Sequence, residues 1–86
     1  MFTAEDIQRR IKRQPFIPVR IITSAGEHYD VYHPEMVVVG KRDLFVGEAS
    51  ADNPAIYERS SLLAIMHITA LENLPAPAPS GKNGGQ

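Results

Sequence analysis

The chain has 86 residues, 43% of them hydrophobic and 22% charged, a composition that excludes a low-hydrophobicity disordered protein and predicts a globular core. Nine Lys and Arg against ten Asp and Glu leave a net charge of -1, so no global field draws the chain to nucleic acid or to an anionic membrane, and any basic surface is local. The absence of Cys rules out disulfides, thiolate metal ligands and a cysteine nucleophile; with no apolar signal segment and no apolar run near the ~20 residues that span a bilayer, a cytoplasmic protein without a membrane partner is expected.

Thr3 is an N-cap, Asp6 stands three residues on as the acid of a capping box, and Phe2 and Ile7 form a hydrophobic staple. Ile7 and Ile11 repeat at i, i+4. Glu5 and Asp6 suit the positive end of a helix, and Arg9, Arg10, Lys12 and Arg13 suit the negative end. Pro15 lacks an N–H and restricts Gln14, so the predicted helix covers residues 3–14.

Residues 16–23, Phe-Ile-Pro-Val-Arg-Ile-Ile-Thr, are β-branched and apolar and lead into Ser24-Ala25-Gly26-Glu27, which predicts a strand and a hairpin turn. Over residues 27–33, Tyr29 and Val31 fall on one face and His28, Asp30 and Tyr32 on the other, the alternation of a half-buried strand. His33-Pro34 breaks or bends it. Two short apolar runs, residues 36–39 and 44–46, joined through Gly40-Lys41-Arg42-Asp43, predict another hairpin. A surface loop is expected over 48–55, a strand over 56–61, a tight apolar connection over 62–66 and a last strand over 67–74. The competing pattern is one helix across 60–72, in which Leu62, Ile65, Met66 and Thr69 share a face. The β-rich remainder needs a closing partner, which favours strands. Residues 75–86 are dominated by Pro and Gly, cannot bury a core, and are expected to form a disordered tail.

These elements predict one domain over residues 1–74, mainly β with an N-terminal α-helix, in which five or six strands form a small, strongly bent, SH3-like barrel or half-barrel. A small domain with exposed sheet edges is expected to pair with further copies of itself, so a homo-oligomer is predicted.

The run Arg9-Arg10-Ile11-Lys12-Arg13, then Pro18-Val19-Arg20-Ile21-Ile22, a Gly26 turn and a second strand resembles the Sm-like family, most closely in layout its bacterial Hfq-type RNA chaperones. The resemblance covers roughly residues 5–74. It implies a ring-forming barrel and RNA binding by rim arginines. Where that family carries Tyr-Lys-His before its last strand this chain has Ile65-Met66-His67, and Pro15-Phe16-Ile17 separates helix from strand. Only His67 is kept, so the resemblance implies the rim arginines more than uridine binding in a pore. The segments Pro15-Phe16-Ile17-Pro18-Val19-Arg20-Ile21, Tyr29-Asp30-Val31, His33-Pro34-Glu35 and His67-Ile68 are also similar to a family of short uncharacterised bacterial proteins, which implies a shared fold and no activity.

Four cations in five residues offer a phosphate clamp, with Arg9, Lys12 and Arg13 at i, i+3 and i+4 on one helix face. A solvated helix end whose cations complement the dipole explains the same residues. Lys41 and Arg42, with Phe45 and Tyr32 as aromatic neighbours, extend a candidate RNA-binding strip or else form a charged hairpin tip, and His67 joins the set through the resemblance. His28 and His33 are five apart in a strand and point to opposite faces, which argues against a shared metal, and His67 between Met66 and Ile68 is expected to be partly buried and hydrogen-bonded. With no phosphate-binding glycine loop and no nucleophile elbow, neither an enzyme nor a cofactor is expected. The sequence therefore predicts a non-enzymatic, self-associating module that binds RNA at its basic helix, with a protein-interaction or assembly module as the alternative.

Overall fold

The structure is a computed structural model that describes residues 1–53 and 55–75; the tail expected over 75–86 lies, from residue 76 on, outside the described residues. Its elements are α1 (Ala4–Lys12), β1 (Val19–Thr23), β2 (His28–Val31), a 3-10 turn at Pro34–Met36, β3 (Val37–Val39), β4 (Asp43–Ala49), β5 (Tyr57–Ala64), a second 3-10 turn at Ile65–His67, and β6 (Ile68–Asn73).

α1 starts as its caps dictate. The Thr3 hydroxyl accepts from the Asp6 N–H at 3.1 Å, and the Asp6 carboxylate accepts from the Thr3 N–H at 3.0 Å, so two otherwise unpaired helix-end donors are satisfied reciprocally. The helix ends at Lys12, two residues short of the expected limit, with Arg13 already extended at its C-cap ahead of Pro15.

The six strands form two antiparallel sheets of three, in the orders β2-β1-β6 and β3-β4-β5. In the first, Gly26 closes the β1–β2 hairpin at φ 84°, a conformation that a residue with a Cβ rarely adopts. Arg20 lies opposite both Asp30 and Glu72 in the register, and its guanidinium grips Asp30 with two bonds of 2.8 and 3.1 Å. In the second sheet, Leu44 lies between Val39 and Leu63, and Phe45 between Val38 and Leu62. The helix considered for residues 60–72 does not form. Leu62 and Leu63 belong to β5, which runs three residues beyond the expected strand, and the connection shrinks to the turn at Ile65–His67. Pairing with β4 satisfies the backbone of this segment, and pairing of β6 with β1 satisfies the next; a helix across both would leave β4 and β1 each with a bare edge.

One apolar interior fills the space between the sheets. Ile21, Val19 and Val31 reach it from the first sheet, Leu44, Val46 and Val37 from the second, and Ile7 and Ile11 of α1 cover it from the helix side. The chain bends sharply at the 3-10 turn between β2 and β3, which carries it from one sheet to the other. Among the described residues no ladder joins the two sheets into a closed barrel. No described helix is long and apolar enough to cross a membrane.

Gly47 on β4 lies under the Tyr57 ring: a Cβ there would sit 2.8 Å from Tyr57 Cδ2, while the Tyr57 hydroxyl donates to the Glu35 carbonyl at 3.1 Å. Tyr57 thus ties the start of β5 to the bend between the sheets. Gly47→Ala is expected to displace the ring and cost about 1–2 kcal/mol of stability as an overpacked site. Urea melts of the variant beside Tyr57→Phe, which keeps the ring and loses only the hydroxyl, will separate the two contributions.

Candidate nucleic-acid interface

The apolar stripe of α1 decides which of its cations meet. With Ile7 and Ile11 turned into the core, Arg9, Arg10 and Arg13 fall along one flank, where they line a hollow of about 380 Å³ together with Asp6. Lys12 is exposed and lies outside this lining, contrary to the i, i+3 grouping expected from the sequence. Asp6, Arg9, Arg10 and Arg13 follow the i, i+3, i+4 and i+7 spacing of a single stripe, and Lys12, two positions after Arg10, is turned to one side of it.

Arg10 is the anchored member. Its Nη2 donates to the Pro18 carbonyl at 3.4 Å and to Asn73 Oδ1, tethering α1 to the entry of β1 and the end of β6. Its Nη1 is covered and finds no acceptor among the described residues. Burial, and then the neighbouring Arg13 charge, lower the pKa of Arg10 from its ordinary value, although a guanidinium remains protonated under any working condition. Arg9 donates to Asp6 at 3.3 Å. The Asp6 carboxyl is held below its ordinary value first by the Thr3 backbone N–H, then by the Thr3 hydroxyl and Arg9. The hollow therefore carries three guanidinium charges and one carboxylate.

The other predicted residues lie elsewhere. Lys41 and Arg42 form the tip between β3 and β4 and border a groove at the opposite end of α1, beside Met1, Phe2, Glu5, Ile65 and Met66. His67 lines a third groove with Ser24, Glu27, Leu62 and Ala64. The expected strip is thus three separate places. His67 is exposed rather than partly buried, because the 3-10 turn directs its side chain outward; only its backbone carbonyl is engaged, by the Ser24 N–H at 2.8 Å. Although Ser24, Glu27 and His67 share that groove, no hydrogen bond joins any two of these side chains, and Glu27 instead accepts from the Tyr29 hydroxyl at 3.3 Å. No group of three metal-ligating side chains occurs among the described residues.

Sequence reasoning missed an apolar row on the outer face of the second sheet. Val38, Phe45 and Leu62 lie side by side across its three strands, with Val38 62% and Leu62 69% exposed. The alternation that buries Val37, Leu44, Val46 and Leu63 requires their neighbours to face outward, and this signal was present in the short apolar runs. The chain matches no protein-family profile, no curated protein and no solved structure.

Acid will loosen the N-cap of α1 and the β1–β2 pair. The depressed pKa values of Asp6 and Asp30, the latter set mainly by the Arg20 hydrogen bonds, contribute stability that is complete above about pH 5 and lost as pH falls through the folded values. Urea midpoints are expected to fall on acidification below that point, and to fall less in Asp6→Asn and Asp30→Asn.

Proposed function

We propose that this chain is a non-enzymatic, Sm-like small β-barrel module that self-associates and binds RNA through the basic end of its N-terminal helix. The observation that carries the RNA part is the convergence of Arg9, Arg10 and Arg13 on one hollow, with Arg10 fixed by Pro18 and Asn73. A preset guanidinium loses little rotamer freedom on meeting a phosphate, and its fork geometry suits bidentate contact. The Sm-like part draws support from the connectivity: a strongly bent meander whose last strand returns to pair with the first, as a small barrel requires.

Arg10 also holds the fold, so the informative variant is Arg9→Ala/Arg13→Ala with Arg10 intact. Loss of two phosphate contacts is expected to weaken single-stranded RNA binding and to lower the slope of log affinity against log salt by about 1.4. Unchanged affinity and unchanged slope, measured by fluorescence anisotropy across a salt series, would remove the helix from the RNA reading.

A second reading, an assembly module, is favoured by the Val38–Phe45–Leu62 row, which runs to the free edge of β5. Its occupant is a second copy of the chain. Exposed apolar area beside an unpaired strand invites such pairing, and Leu62→Arg sets a charge at the junction. Sedimentation velocity is expected to show an oligomer for the natural chain and a monomer for that variant. A monomer at every concentration of the natural chain would contradict self-association.

A further inference from the structure

The arginine hollow is better built for the end of a strand than for its length. Three guanidiniums and the Asp6 carboxylate sum to a formal charge of +2 in one place. An internal phosphodiester brings a single negative charge, whereas a terminal phosphomonoester carries about −1.5 to −2 near neutral pH and offers three strong acceptor oxygens. The charge match favours the monoester.

Placement along the helix points the same way. Lys41 and Arg42 sit by the other end of α1, whose nine residues span about 13 Å, and Glu5 lies in the same groove as these two cations. A strand laid along the helix has to pass both Glu5 and Asp6. An end entering from the Arg13 side meets only Asp6, which Thr3 and Arg9 already hold.

The third observation is the donor left over. Arg10 Nη2 is committed to protein acceptors while Nη1 has none among the described residues. A covered, unsatisfied guanidinium nitrogen costs free energy until an acceptor arrives. Arg9, which keeps its bond to Asp6, and Arg13, exposed and without a carboxylate partner among the described residues, flank it, so an entering oxygen meets guanidinium donors on both sides. Among the described residues no aromatic side chain lines the hollow, which leaves no platform there for stacking a base and favours the phosphate as the group recognised.

We propose that the Arg9–Arg10–Arg13 hollow seats the terminal phosphomonoester of an RNA strand in preference to internal phosphodiesters. This rests on the RNA reading above and names the group that the site holds.

The test uses the full chain and one short single-stranded RNA in three forms: 5′-phosphate, 3′-phosphate, and hydroxyl at both ends. Anisotropy titrations are expected to give about tenfold tighter binding for a phosphate-ended form, a difference of one strong charge-assisted contact. The two phosphate arms identify which end is seated. Inorganic phosphate is expected to compete, and the preference is expected to shrink below about pH 6 as the monoester takes up its second proton. Arg13→Ala removes the preference; Arg59→Ala, which deletes an equal charge on β5 outside the hollow, keeps it. Circular dichroism confirms that both variants fold.

Equal affinity for all three RNAs, with Arg9→Ala/Arg13→Ala weakening each, overturns the end preference and leaves the RNA reading standing. Failure of every RNA to bind overturns both, including the case in which inorganic phosphate alone binds.

Discussion

Among the described residues the two sheets exchange no ladder of backbone hydrogen bonds, so burial of apolar side chains between them is what makes the domain one body. Ile21, Val31, Leu44 and Val46 meet there from opposite sides, and Ile7 and Ile11 cover them from the helix. Fully burying each such side chain stabilises the fold by about 1.5–3 kcal/mol, which dominates any single surface contact. The helix is therefore a structural member first. Its rotation about its own axis is set by the need to hide Ile7 and Ile11, and everything on its other faces follows from that rotation.

The arginine hollow is one of those consequences. Once the apolar stripe faces inward, Arg10 lies at the seam where α1 crosses the entry of β1 and the end of β6, and its two bonds there lock the seam. Arg9 and Arg13 flank it because of helical spacing and the turn of the chain at the C-cap. A residue that ties the helix to the first sheet is thereby also the anchored centre of the arginine hollow.

Charge pairing sharpens this picture. Arg9, Arg20 and Arg59 each face a carboxylate, on Asp6, Asp30 and Glu48 respectively. Two of these pairs follow cross-strand registers and the third an i, i+3 helix spacing. Exposed pairs of this kind contribute little to stability, but they neutralise charge locally. Arg10 and Arg13 have no carboxylate partner among the described residues, so two uncompensated guanidinium charges remain side by side at the C-terminal end of α1. The outer row of Val38, Phe45 and Leu62 is the apolar counterpart on the opposite class of surface, a stripe that the fold leaves uncovered.

The amino-acid sequence by itself determined the elements that local chemistry specifies: the Thr3–Asp6 capping box, a helix that ends ahead of Pro15, the glycine turn at Gly26, and the alternation of Tyr29 and Val31 against His28 and Asp30. Each depends on residues only a few positions apart, so each was legible as a pattern. Only the tertiary structure decided whether residues 60–72 formed strands, because Leu62 meets Phe45 and Leu71 meets Ile21 across long separations in the chain. It also decided that Arg10 rather than Lys12 belongs to the cluster, and that Lys41, Arg42 and His67 stand apart from it. Side-chain types and their spacing reveal which groups are present, but whether those groups share a site depends on how the core rotates the elements that carry them.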